Sequence, residues 1–220
     1  MTIPTLETFY YQYQNFKTLL KEKGFKTAVS EAAYFSREMV VVERDLNKPL
    51  PKLKCDFDLR LITVNDDENN IEVIRKLKFS NKVRELKFTA YSRRGYKAFL
   101  GIHNEKVVAE QWWTSALDVQ NNIIHPDLRW LKLDLKDGEI YAFDLFIVPE
   151  YRGTSVTNKF ISSYINELKK LGHSKIYGTF FLDNIPSLWI HRMLSYNETQ
   201  KMKRHRFFFL EIKNGKICFA

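Results

Sequence analysis

Residues 141–156, YAFDLFIVPEYRGTSV, constrain the fold of this chain more than any other stretch. The first half is apolar and aromatic and suits a strand. Pro149 then stops the ladder, because proline has no N–H to give. Arg152, Gly153 and two small hydroxyl residues follow, and an apolar pattern with helical spacing begins near Val156. Val156, Phe160, Tyr164, Leu168 and Leu171 keep that spacing, and Gly172 suits a C-terminal cap. Strand, tight turn and helix in this order converge a row of backbone N–H groups on one point, where the helix dipole favours an anion.

The remaining elements follow from local pattern. Helices are expected over 5–23, ended by Gly24, and over 27–35, with a strand over 39–43. Pro49 and Pro51 mark the best boundary, which divides the chain into an N-terminal helical and strand extension, 1–54, and a domain, 55–220. A strand is expected over 59–64 and two helices over 71–91, with a break near Ser80 and Asn81. Strands over 97–103 and 106–115 form a hairpin about Asn104 and Glu105. A connection over 121–135 leads to the Asp137-Gly138 turn and a strand over 139–148. A strand over 175–181 and a helix over 184–194, with Asn184 as N-cap, come next. A last hairpin joins 207–212 to 216–219 about Asn214-Gly215. This order predicts an α/β chain around a mixed, largely antiparallel sheet, with a βαβ unit in the middle.

Composition narrows the class of function. Of 220 residues, 45% are hydrophobic, including 17 Phe and 11 Tyr, enough for a sizeable core. No apolar run approaches the roughly 20 residues that cross a membrane, and no signal peptide is visible. Cys55 and Cys218 are far apart and form no metal-ligand spacing, so no metal is expected and a reducing cytoplasm is the default. The net charge of +9 favours an anionic partner: nucleic acid, an acidic membrane or a phosphorylated cofactor. The densest basic run, KMKRHR at 201–206, reads as a solvated loop or strand edge. Tyr10, Tyr11, Tyr13 and Phe16 read as an exposed aromatic patch on the first helix, or in part as core or as a contact in a homodimer.

The element order and the segment VPEYRG together resemble the GNAT superfamily of N-acetyltransferases, over about 59–219. The resemblance implies a sheet that splays open at the family's fourth and fifth strands, here 139–148 and 175–181. In the family pattern [QR]-x-x-G-x-[GA], Arg152 takes the first position, and Ser155 and Thr157 stand where small residues are usual. The resemblance places the pyrophosphate of acetyl-CoA on Arg152, Gly153, Thr154, Ser155, Val156 and Thr157. It places the pantetheine arm along Phe146, Ile147 and Val148, one of whose amides polarises the thioester carbonyl, and near Asn184 and Ser187. His191 holds the position at which the family often has a tyrosine acid, and Ser195 stands at a family glycine. The implied acceptor is a primary amine of a small molecule such as an amino sugar, amino acid or polyamine.

Transfer to an amine needs a neutral nucleophile, a donor to the carbonyl oxygen and a proton for the thiolate. Asp144 is the sharpest candidate base, a carboxylate inside an apolar strand, which must be paired or sit at a cleft. Glu110, inside VVAEQWW, is the second. Trp112 and Trp113 point to opposite faces, so at most one walls an acceptor pocket. An acyl-CoA-dependent N-acetyltransferase is the leading expectation. A catalytically weakened relative that binds a CoA thioester or a protein partner is the alternative. A nucleic-acid binder ranks last, because no recognised module accompanies the charge.

Overall fold

The computed structural model describes residues 10, 13–14, 16–17, 20–21, 24–52, 56–64, 77–207, 210–213 and 216–219. Most of the helix expected over 5–23, the Asn214-Gly215 turn and Cys55 lie outside them. The elements in chain order are α1 (Phe25–Ala33), β1 (Tyr34–Asp45), β2 (Arg60–Val64), α2 (Lys82–Arg93), β3 (Lys97–His103), β4 (Lys106–Ser115), α3 (Ala116–Gln120) and α4 (Pro126–Leu131). After them come β5 (Glu139–Ile147), a 3-10 turn (Pro149–Tyr151), α5 (Ser155–Lys170), β6 (Lys175–Phe181), α6 (Ile185–Met193), β7 (Asn197–Phe207), β8 (Leu210–Lys213) and β9 (Lys216–Phe219).

The nine strands among the described residues form one sheet in the order β2-β3-β4-β5-β6-β1-β7-β8-β9. Every pairing is antiparallel except β5 with β6. The mixed, largely antiparallel sheet flanked by helices is the architecture the sequence predicts. The β3–β4 hairpin has the expected bounds, and its turn residues Asn104 and Glu105 take left-handed φ values of 48° and 60°, as tight hairpin turns require.

Two expectations are corrected. The boundary at residue 54 cuts off a central strand, because β1 lies between β6 and β7 and pairs with both. Val40 and Val42 pack with Phe180 on one face, while Met39 and Val41 pack with Tyr141 and Met202 on the other. A strand buried on both faces needs such an unbroken apolar run. The basic run at 201–206 is not a loop but part of β7: residues 204–206 pair with both β1 and β8, while 201–203 pair with β1 and, among the described strands, keep the edge character expected of them. Its residues alternate between faces: Lys201 and Lys203 are exposed, Met202 is buried, and Arg204 is half-buried.

The core has two layers. Trp112, Leu100, Ala98 and Phe143 face α2 and α4, with Phe88, Tyr91 and Trp130 packed against them. Trp113, Phe99, Ala142 and Ile140 face α5 and its Phe160, Ile161, Tyr164, Ile165 and Leu168. The two adjacent tryptophans are thus split between the layers, as strand alternation requires. Gly101 is fixed by this packing, since a Cβ there would lie 2.9 Å from the Phe160 ring.

Candidate functional site

β5 and β6 pair over only three residues. Glu139, Ile140 and Tyr141 oppose Lys175, Ile176 and Tyr177, and the strands then part. The parting opens a cavity of about 270 Å³ whose lining comes from both faces of the sheet. Ala142, Gln111, Tyr164, Ile190, His191 and Tyr196 line it on the α5 and α6 side; Met39, Phe143, Phe181 and Arg204 line it on the other. Asp144, Asn184 and Ser187 also line it.

A β-bulge shapes the β5 wall. The register against β4 shifts between Glu110 and Trp112, and Asp144 takes φ 51°. Asp is among the residues that tolerate this left-handed conformation. Gln111 Nε2 donates to the carbonyls of Trp112 and Phe143, both at 3.0 Å, and so ties the irregular strand to its neighbour.

Behind the bulge, α2 drives two cations into the sheet. Arg84 is 4% exposed. Its Nε and Nη2 donate to the two oxygens of Glu110 at 3.0 and 2.7 Å, and its Nη1 donates to Asp144 at 3.1 Å. Lys87, one turn along, donates to Asp144 at 2.9 Å. Trp112 Nε1 adds a bond of 3.3 Å to Glu110. Both carboxylates picked out in the sequence are therefore paired, and they share one arginine. Glu110 is 1% exposed, has both oxygens engaged and does not line the cleft. Asp144 does line it. Burial alone would raise the Asp144 carboxyl, but Lys87 and Arg84 outweigh burial and hold it down to about 2. A carboxylate so stabilised is a weak proton acceptor at neutral pH.

This shift has a direct consequence for stability. The native carboxyl titrates near 2 and an ordinary one near 3.8. The native state therefore binds fewer protons in acid, and the stabilisation is complete above about pH 4 and lost as pH falls toward about 2. Urea unfolding at stepped pH is expected to show a loss of about 2 kcal/mol over that window, and Asp144→Asn is expected to flatten it.

On the opposite wall, His191 Nδ1 lies 2.6 Å from the Ser187 carbonyl. A carbonyl only accepts, so Nδ1 carries the proton and Nε2 the lone pair. Burial lowers the imidazole pKa, against the pull of the Ser187 bond. The ring stacks on Phe180 and meets the edge of Tyr196, with centroids 4.5 and 4.8 Å away. His191 is thus a neutral imidazole, suited to accept a proton rather than to donate one. Tyr196 is a residue that sequence reasoning passed over as a donor. Burial pushes its phenol up to about 12, with Arg44 and Tyr164 pulling the other way. Arg44, fully buried, donates to the carbonyls of Leu194, Lys48 and Pro49, and so locks the end of α6 to β1. Asn184 caps α6 by accepting from the Ser187 amide at 3.3 Å. Ser195 takes φ 58° just past that helix, where glycine is the easier residue.

The turn after β5 carries the anion site. Arg152 Nε donates back to the Ile147 carbonyl at 2.8 Å. Gly153 has φ 70°, and no atom lies within 4 Å of where its Cβ would be. Ser155 and Thr157 lie in helix, so neither position needs left-handed backbone. Thr157 is buried and its hydroxyl donates to the Tyr151 carbonyl, which turns its side chain inward. Thr154 is the N-cap: its Oγ1 accepts from the Val156 amide at 3.2 Å, and its own amide donates to Tyr151. Gly153, Ser155 and Thr157 are then the amides at this helix start with no partner inside the helix. On β5, the Val148 amide donates to the Val108 carbonyl at 2.9 Å. Alternation along an antiparallel edge turns the Ile147 amide the other way, toward the side from which β6 has parted.

Among the described residues no group of three His, Cys, Asp or Glu side chains stands at metal-binding distance, and no helix is long and apolar enough to cross a membrane.

No protein-family model matches the sequence, and no curated protein is similar to it. Solved structures overlap it at low identity. A GCN5-related N-acetyltransferase from Sphaerobacter thermophilus is 10% identical with a TM-score of 0.49, over 84% of this chain and 57% of that one. A conserved protein of unknown function from Staphylococcus epidermidis is 10% identical with a TM-score of 0.48, over 93% and 81%. A Drosophila protein is 13% identical with a TM-score of 0.47, over 88% and 57%. This chain spans little more than half the length of the first and third of these proteins.

Proposed function

We propose that the protein is an acyltransferase that moves an acetyl or other acyl group from a coenzyme A thioester to a primary amine of a small molecule. One observation carries this reading. β5 and β6 separate after Tyr141 and Tyr177, and the strand that forms one wall of the gap leads straight into a helix start with unengaged amides. A gap through a sheet admits an extended arm from one face and an acceptor from the other. The helix start holds the arm's diphosphate.

The residues present fit such a co-substrate. Gly153 leaves open space where a Cβ would stand, and the Thr157 hydroxyl is turned inward to the Tyr151 carbonyl. An acyl-CoA, when bound, supplies an activated carbonyl and a thiol leaving group. The Ile147 amide stands where it can donate to that carbonyl oxygen. His191 Nε2 accepts the proton that the attacking amine must shed, and the neutral Tyr196 phenol returns one to the departing sulfur. Asp144 holds the bulge and fixes the wall of the cleft, so the base role assigned to it from sequence passes to His191.

A second reading, a protein that binds a CoA thioester without turnover, is favoured by one specific observation. Thr154 Oγ1 already occupies the Val156 amide, so the anion cradle is one donor short. Thiol release with a panel of amines separates the two. The transferase reading expects amine-dependent release, cut about 100-fold in His191→Phe with coenzyme affinity retained. Coenzyme binding with no release for any amine would leave the second reading, and no coenzyme binding would sink both.

A further inference from the structure

The far end of the sheet carries another cavity, of about 320 Å³, that shares no lining residue with the cleft. It sits over Trp113 where β3 begins, between the start of α3 and the end of α5. Its chemistry is uneven in a telling way. Trp113 is 2% exposed, and its indole Nε1 has no hydrogen-bond partner in the protein. Beside it, with ring centroids 5.2 Å apart, His173 buries an Nδ1 that is also without a partner. The indoles of Trp112 and Trp130, by contrast, donate to Glu110 and Asp127. One buried N–H left without an acceptor costs about 1–3 kcal/mol. The Trp113 indole can only donate, and His173 Nδ1 donates beside it when the neutral ring carries its proton there, so one acceptor can serve both residues of this lining.

The charges around the cavity say which acceptor. Lys97 Nζ lies 5.1 Å from the Trp113 ring centroid and donates to Asp118 at 2.7 Å, which leaves it further donors. The other Asp118 oxygen is taken by the amide and hydroxyl of Ser115. Asp118 itself is not part of the lining; the acid that is, Asp137, stands exposed at the turn before β5. Lys97, Trp113 and His173 thus bring three nitrogen-bearing side chains to the lining, and Asp118, behind Lys97, has both oxygens engaged. Leu117 and Leu171 form an apolar lip, with 61% and 49% of their surface exposed.

We propose that this cavity binds a small carboxylate with an apolar body. The carboxylate accepts from Trp113 Nε1, from Lys97 Nζ and from His173 in its Nδ1–H form, and the apolar body rests against Leu117 and Leu171. Both nitrogens are screened from solvent, so the acid enters as those two exposed side chains swing aside. The site is independent of the coenzyme cleft and does not depend on acyl transfer.

Nitrogen–proton correlation spectra of the full chain test this, because each of the four tryptophans gives one indole N–H signal. Isovalerate, benzoate and phenylacetate are titrated in turn, with the matching primary alcohols as controls. The expected result is a saturable shift of one indole signal, the one missing from Trp113→Phe, with a Kd of about 1 mM or tighter. The alcohols leave that signal in place, and His173→Phe and Lys97→Gln each weaken the acids about tenfold or more. Folding of each variant is read from its remaining signals. A Trp113 signal that no acid moves, or that alcohols move equally, overturns the proposal, as does a shift that survives in both variants.

Discussion

Replacing Arg84 with methionine is expected to destabilise the protein by about 3–5 kcal/mol, the largest effect of any single side-chain change considered for this chain. The reason is the sharing of one guanidinium between two carboxylates. Removing it leaves Glu110 at 1% exposure with no cation, while Asp144 keeps only Lys87. Glu110 cannot escape to water from the middle of β4, so it must take up a proton or break the sheet locally. Urea unfolding checks the magnitude. The companion change is informative: Arg84→Met together with Glu110→Leu is expected to recover most of the loss, because removing both partners leaves no buried charge behind. Failure of the double variant to recover would mean that the pair fixes the shape of the bulge and not only its charge balance.

The second large effect concerns binding. Ser155→Asp is expected to weaken coenzyme A by about 100-fold or more, a loss of about 3 kcal/mol. A carboxylate in the first turn of α5 would repel the diphosphate at short range. The same carboxylate is favourable to the helix itself, since acids at a helix start interact well with the dipole, by about 0.3–1 kcal/mol. The variant should therefore be as stable as the parent or slightly more so while it loses ligand. Those opposite signs separate a site effect from a folding effect, and calorimetric titration beside thermal unfolding reads both.

Much of the fold was legible because local chemistry dictated it. Asn104-Glu105 between two apolar runs could only be a tight hairpin turn, and Pro149 with Gly153 set the end of β5 and the start of α5. The place of β1 was not legible. Met39 to Val42 read as a strand, but an apolar run does not say which strands lie beside it, and the prolines at 49 and 51 suggested a boundary instead. They turn out to lie where the chain leaves the sheet, with the Pro49 carbonyl bound by buried Arg44.

The site was half legible for a similar reason. Asp144 and Glu110 stood out as charges in apolar strands, which correctly marked them as paired or cleft-lining. Their partners did not stand out. Arg84 and Lys87 sit in a polar helix among Lys82, Glu85 and Arg93, where every charge looks solvated. Only the packing of α2 on the bulge shows that two of them point inward. His191 was found from its position in a family frame, but its protonation depends on the Ser187 carbonyl and on burial under Phe180 and Tyr196, and neither is written in the sequence. Ser155 and Thr157 appeared to be poor replacements for small residues. In the helix they are ordinary, and the residue of this turn that takes left-handed backbone, Gly153, is still glycine.

The central claim is that the gap between β5 and β6 receives the arm of a CoA thioester whose diphosphate rests on the start of α5. A crystal structure of the protein grown with acetyl-CoA tests it most directly. The expected map shows the arm passing between β5 and β6 beyond the paired Tyr141 and Tyr177, with diphosphate oxygens within hydrogen-bond distance of the Gly153 and Ser155 amides. A coenzyme bound elsewhere on the protein, with this helix start still capped only by Thr154, would contradict it.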